Sequence, residues 1–387
     1  MITRFYVDNY KCLQNFEYKP NQLELIVGAN GTGKTTVFEA LDKVRQFVTG
    51  QTETNELFDF STITRWSIKP PQIFEVDYQI ENHLFQYRLE TNIFSYVHRV
   101  EKETLRRNGE VLTETVWEDM EEDNPNYDPF AEESLTDFHP NQTRALKQAL
   151  RPNSKVILSN PSQSAMKFAS PLLRNTLGEV HFFKINPASI TSQVGKVEPR
   201  PANDLSNFAS YYLYLLQQKQ GKMFEMIPYL REAIPDFDSF AIEEDFEAGR
   251  RELRVVCRAA SKRNSASTVK YGFEEMSDGQ RALIALYTLL FCTLDSNSTL
   301  IIDEPENYIA LRELQPWLML LQERLEEHGG QVILISHHPE FINALAPSHT
   351  TVFEREIGGP VRIKPFNMEL AKSLTPAEVI ARGWESE

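Results

Sequence analysis

Three short runs are apolar almost without interruption: Leu23 to Val27, Thr299 to Ile302 and Gln331 to Ile335. Such runs predict strands buried on both faces, as in the middle of a parallel sheet. Other segments alternate apolar and polar positions. Ile73 to Ile80, Phe85 to Glu90 and Tyr96 to Val100 do so, with a turn at Glu81-Asn82, and predict an antiparallel meander. Arg107-Asn108-Gly109-Glu110 reads as a further hairpin tip, and Phe5 to Val7 and Phe16 to Tyr18 as short strands. Helical patterning covers Val37 to Val48, Asn207 to Gln220, Met223 to Ala233 and Ala282 to Leu294, and residues 134 to 240 turn increasingly helical. Leu253 to Arg258 reads as a strand followed by a polar hairpin, Ser261 to Ser267. Glu118 to Glu133 is acidic, carries Pro125 and Pro129, and reads as a solvated loop. The tail predicts a hairpin, Val352 to Ile363 turning at Gly358-Gly359, then a short helix from Thr375-Pro376 to Gly383.

With 387 residues, 41% of them hydrophobic, the chain can bury a sizeable core and divide into more than one unit. No apolar run is long enough to span a membrane, and MITRFYVDNY is not a charged-then-apolar leader, so a cytoplasmic setting is expected. Cys12, Cys257 and Cys292 are scattered, which predicts reduced thiols rather than a disulfide frame or zinc site. A formal net charge of -15 argues against broad affinity for nucleic acid or anionic membrane, though not against a local basic surface.

The chemistry begins where the first apolar run ends. Gly28-Ala29-Asn30-Gly31-Thr32-Gly33-Lys34-Thr35-Thr36 is a phosphate-loop pattern set between strand and helix. Its glycines let consecutive N–H groups face an anion, and the helix adds its positive end. Lys34 can reach the β- and γ-phosphates, and Thr35 can offer a hydroxyl to Mg²⁺. The second run ends in Asp303-Glu304-Pro305. Carboxylates at the end of a buried parallel strand suit Mg²⁺ support, by Asp303, and orientation or deprotonation of water, by Glu304. Ser277-Asp278-Gly279-Gln280 opens the helix that precedes this strand, with Ser277 a plausible N-cap. The third run ends in Ser336-His337-His338-Pro339, which puts a histidine near a phosphate or an attacking water.

Phosphate loop, SDGQ, LIIDEP and ISHHP stand in the chain order of an ABC-type ATPase. The chain resembles the non-transporter branch of that class: SMC, RecF and OLD-like heads, and most closely the bacterial AAA-21 and AAA-15 predicted ATPases. Asp303-Glu304-Pro305-Glu306-Asn307 and the opening Val7-Asp8-Asn9-Tyr10-Lys11 are typical of that last group. The resemblance implies an α/β P-loop NTPase head of two lobes, with a mixed sheet, an antiparallel meander, a helical lobe and no long coiled coil. Lobe I would comprise residues 1–135 and 295–387, and the inserted lobe II residues 136–294. ATP and Mg²⁺ would be the cofactors. Residues 28 to 36 would bind the triphosphate, with Thr35 and Asp303 at the metal. Glu304 would be the general base, His337 the switch residue and Lys34 a catalytic cation. Ser277, Gly279 and Gln280 would cap the γ-phosphate held by a second copy, so that two heads sandwich two ATP molecules, with higher oligomers also open.

The match is not complete. Asp278 stands where SGGQ has its first glycine, and Ala310 lies near the place of the D-loop aspartate. Gln163 is the best candidate for the Q-loop glutamine. Lys11 could approach the nucleotide or simply be exposed. Lys34 and Ser277 lie 243 positions apart, which accommodates an inserted lobe but not SMC-type arms. The 50 residues after His337 are too few for an OLD-like nuclease domain, and read as a lobe-completing element or a docking peptide. Two roles follow. One is an ATP-controlled switch working with a separately encoded effector, a nuclease or toxin, in a defence-type system. The other is a RecF-like clamp on DNA, resting on Arg250, Arg251, Arg254, Arg258, Lys262, Arg263 and Lys270.

Overall fold

The computed structural model describes residues 1–52, 54–66, 71–94, 97–116, 154–156, 171–245, 249–259, 267–346, 348–366 and 374–383. Gln163, the acidic stretch 118–133, and Lys262 and Arg263 lie outside the described residues. By contact the chain divides into two compact units. The first comprises Met1–Pro20, Ala29–Val180 and Phe353–Ile363; the second comprises Asn21–Gly28, His181–Val352 and Lys364–Glu387.

The first unit is built on alternation. Strands β1 (Ile2–Asp8), β2 (Phe16–Tyr18), β4 (Gln72–Ile80), β5 (His83–Phe94), β6 (Val97–Arg107), β7 (Glu110–Val116) and β8 (Ser154–Val156) form one sheet. Their order is β2-β1-β4-β5-β6-β7-β8, antiparallel except for the parallel β7–β8 pair. The predicted meander is therefore present, and β6 runs further than its short alternating signal, up to the tip at Asn108-Gly109. Both tip residues have positive φ, 50° and 86°, the geometry that a two-residue hairpin favours. Helix α1 (Lys34–Thr49) buries Val37, Leu41, Val44 and Val48, an i, i+4, i+7, i+11 stripe. The core of this unit is aromatic: Tyr18 meets Phe38 and Phe353 edge-on, and Tyr10 meets Phe74.

The second unit is built on the continuous apolar runs. Strands β3 (Leu23–Val27), β14 (Thr299–Asp303) and β15 (Gln331–Ile335) are buried at every position. They pair in parallel in the order β3-β15-β14, with β16 (Thr350–Arg355) parallel on the other side of β3. An edge strand that the sequence did not announce, β9 (Val180–Phe183), adjoins β14. A second, antiparallel sheet places β12 (Arg250–Ala259) between β11 (Phe237–Asp245) and β10 (Gln193–Val194), and β13 (Ser267–Gly272) also pairs with β12. The hairpin of β16 with β17 (Val361–Pro365) turns near Gly358, whose φ is +73°.

Three helices of the second unit start at side-chain caps, from Ser277, His338 and Thr375. The short helices α2 (Thr54–Leu57) and α3 (Pro171–Gly178) belong to the first unit; those of the second are α4 (Phe208–Gln218), α5 (Gln220–Ala233), α6 (Asp278–Thr288), α7 (Leu311–His328), α8 (Pro339–Leu345) and α9 (Pro376–Ala381). The helix expected from Ala282 to Leu294 begins earlier, at Asp278, and its last turn, Leu289–Thr293, widens to π geometry. The large core of this unit gathers Leu25, Phe183, Leu286, Ile302, Trp317 and Leu334 around the parallel sheet. All three thiols are free and buried. Among the described residues no helix is long and apolar enough to cross a membrane.

Candidate functional site

The phosphate loop leaves the carboxyl end of β3 at Gly28, where φ is 144°. Gly31 and Gly33 then take φ of 83° and 91°, a region that other residues avoid. A Cβ on Gly33 would stand 2.6 Å from Val361 Cγ2 and 3.0 Å from Cys12 Sγ. Thr32 donates through both its backbone N–H and its Oγ1 to the Ala29 carbonyl, which closes the loop on itself. Helix α1 follows at once, with Gly33 as N-cap, no side chain capping it and no acidic residue in its first turn. Its first N–H groups therefore have no side-chain cap where the dipole is most positive. Lys34 is buried and donates to the Ala29 carbonyl at 3.0 Å, while Ala29, Asn30, Gly31 and Thr35 are exposed and Thr36 is half-buried. Lys11 does not stand free: its Nζ is 2.7 Å from a Glu39 carboxylate oxygen, and Tyr10 Oη donates to the same carboxylate.

Strand β14 carries Asp303 to its carboxyl end with only 5% of its side chain exposed. Glu304 follows at φ 52°, an unusual conformation for a non-glycine residue. Its N–H extends the parallel ladder by donating to the Ile335 carbonyl at 2.8 Å, and Asn307 Nδ2 donates to its Oε2 at 3.0 Å. Lys184, just after β9, reaches Asp303 Oδ2 at 3.2 Å and Glu304 Oε2 at 3.8 Å. Sequence reading missed this residue. Its signal was faint: four residues, Val180-His181-Phe182-Phe183, within a segment that otherwise reads as helical.

At the end of β15, His337 is exposed. His338 is engaged elsewhere: its Nδ1 accepts the Glu340 N–H and so caps α8. Ser336 Oγ donates to Glu306 Oε1 at 2.6 Å and accepts the His338 N–H at 2.9 Å. This ties the turn after β14 to the turn after β15. Burial pushes the Glu306 carboxyl above the usual carboxylate range.

The SDGQ segment caps itself. Ser277 Oγ accepts the Gln280 backbone N–H, and Gln280 Oε1 accepts the Ser277 N–H, a reciprocal capping box. Asp278 in the first turn pairs with Arg281 at 2.5 Å. Gly279 has room for no side chain, because a Cβ there would lie 2.6 Å from the Tyr308 carbonyl oxygen. Tyr308 itself has φ 72° and is 60% exposed, with exposed Leu311 close behind.

The side chains of two of the four arginines on β12, Arg254 and Arg258, have partners. Arg254 contacts Glu252, Glu243 and Glu275, Arg258 donates to the Pro235 carbonyl, and nearby Lys270 pairs with Glu243.

The donor set around Asp303 suits Mg²⁺. It offers one buried strand-end carboxylate, and among the described residues no histidine, cysteine or acidic cluster of the kind that cages other metals. Mg²⁺ is ordinarily held by one or two carboxylates, its own waters and substrate phosphates.

A parallel sheet whose central strand opens into an uncapped glycine loop, with a carboxylate-ended strand two places away, defines a P-loop ATPase head. The family described as "AAA domain, putative AbiEii toxin, Type IV TA system" (AAA_21) matches residues 25–343. The chain belongs to that family. Among solved structures it resembles that of the SmcHead bound to the C-winged helix domain of ScpA. That match has 13% identity and a TM-score of 0.51, and covers 94% of this chain and 98% of that one. The SMC head domain from Thermotoga maritima gives 12% identity and a TM-score of 0.45, over 95% and 99% of the two chains. The first of these two likenesses gives the fold, that of an SMC-type ATPase head. No curated protein matches the chain.

Proposed function

We propose that this protein is an ATP-hydrolysing switch that pairs with a second copy around bound ATP and controls a separately encoded effector. The observation that carries the reading is the uncapped start of α1 behind three positive-φ glycines at the end of β3. That arrangement suits the phosphates of a nucleotide. Residues 28 to 36 bind the triphosphate, with Lys34 turning from the Ala29 carbonyl to the phosphates. Thr35 and Asp303 hold the metal, which when bound offsets negative charge on the phosphates. Glu304 accepts the proton of the attacking water, and His337 lies on the same sheet end to sense the γ-phosphate.

The second half of each pocket comes from the partner copy. Ser277, Gly279 and Gln280 supply it, and the exposed Tyr308 beside Gly279 suits a surface that another copy covers. Residues 136–294 act as the lobe that carries this segment, and residues 1–135 with 295–387 as the lobe that carries the nucleotide. The family description, with its toxin and toxin–antitoxin terms, supports a defence-type setting with a nuclease or toxin as effector. Three buried, unpaired thiols favour a reducing, cytoplasmic compartment.

The test uses two variants of the full chain. Glu304→Gln should retain ATP and lower turnover by about 10²- to 10⁴-fold, accumulating the ATP-bound dimer. Ser277→Arg should keep nucleotide affinity yet stay monomeric with ATP in sedimentation velocity. Normal hydrolysis by the first variant removes the base, and an unchanged ATP-dependent dimer in the second removes the sandwich.

A further inference from the structure

Lys184 sits at the carboxylate end, and the proposed chemistry leaves it unused. Its backbone is fixed: its N–H donates to the Asn203 carbonyl at 2.9 Å, immediately after β9. Its side chain is 60% exposed, and only its tip is engaged, at 3.2 Å from Asp303 Oδ2 and 3.8 Å from Glu304 Oε2. Asp303 by contrast is almost wholly buried. Two adjacent carboxylates, one of them out of water, are costly without a nearby cation. A lysine supplies such a charge well, being a compact ammonium on a flexible stem that can come and go.

We propose that Lys184 is a tethered counter-ion that holds Asp303 and Glu304 while no nucleotide is bound, and competes with the divalent cation for Asp303. An ammonium at 3.2 Å and a divalent cation would repel each other on the same carboxylate oxygen. Metal entry therefore swings Lys184 away, and its departure also frees Glu304. Lys184 is a positioning residue in this scheme, setting how much Mg²⁺ the site requires. The inference rests on the reading of Asp303 as the metal-bearing carboxylate.

The experiment measures binding of a fluorescent, non-hydrolysable ATP analogue to the full-length protein, in EDTA and across a Mg²⁺ titration. Lys184→Met should bind the analogue in EDTA as the wild type does, but reach half-maximal Mg²⁺ enhancement at about two- to fivefold lower Mg²⁺. Lys184→Arg, which keeps the charge, should behave like the wild type. The proposal is overturned if Lys184→Met needs as much Mg²⁺ or more, or if Lys184→Arg matches Lys184→Met. It is overturned equally if Lys184→Met weakens binding in EDTA, since Lys184 would then be a phosphate ligand. Asp303→Asn separates the two levels. Loss of the Mg²⁺ enhancement sustains the metal reading whatever Lys184 does, while an unchanged enhancement removes that reading and the counter-ion with it.

Discussion

Two helices of this protein begin with glycine nearby, and they begin in opposite ways. Helix α1 starts after Gly33 with no side-chain cap and no acidic residue in its first turn. Helix α6 starts after Ser277 with a complete capping box and Asp278 in its first turn. The glycines differ too. Gly33 is needed for its φ of 91° as well as for space, whereas Gly279 carries no positive φ and is needed because the Tyr308 carbonyl sits against it. An anion arriving at α1 finds donors that no side chain has capped. One arriving at α6 must displace Gln280 from Ser277 and tolerate the Asp278 carboxylate. The first start is open in advance. The second, if it meets a γ-phosphate, has to be remade by the encounter, which suits a contact that forms only when a partner brings the nucleotide.

The comparison can be broken most forcefully at Gly33. Gly33→Ala combines a left-handed backbone with a clash against Val361, and should cost about 2–4 kcal/mol of stability and abolish nucleotide binding. A variant that melts normally and binds ATP would mean the loop geometry is not what holds phosphate.

Ser277→Ala tests the other helix, with a smaller effect. Loss of the cap should lower stability by about 1 kcal/mol, read from denaturant midpoints, while nucleotide affinity stays put. ATP-dependent dimerisation should weaken. If stability is unchanged, the capping box is not holding the start of α6.

The smallest expected effect concerns pH. Burial raises the Glu306 carboxyl above its ordinary 4.5, so the folded chain holds this proton more tightly than the unfolded chain. The resulting stabilisation is fully present below 4.5 and fades as pH rises through the folded value. Glu306→Gln removes this contribution. Wild-type stability measured against that variant should therefore decline as pH is raised from acid towards neutral. A flat difference would show that Glu306 titrates normally.

How much of this was legible without coordinates depended on whether the signal was local. The strands β3, β14 and β15 announced themselves because burial on both faces forces every position to be apolar. The hairpin at Asn108-Gly109 and the cap at Thr375, whose Oγ1 accepts the Glu378 N–H, were legible because turn and cap chemistry resides in adjacent residues. The phosphate loop and the Asp303-Glu304 strand end were legible for the same reason. Lys184 was not. Its meaning comes from β9 lying beside β14, a pairing between residues more than a hundred positions apart, and four residues in a helical context carry too little pattern to reveal it. The engagement of His338 in capping α8 was equally hidden, since two adjacent histidines look alike until one is seen to accept a backbone N–H.

The carbonyl of Tyr308 fits against Gly279 with no space for even a methyl group, and the turn that presents it starts at Glu304, itself held at φ 52°. A side chain introduced at Gly279 would therefore press on the turn that follows the carboxylate strand as well as on the start of α6.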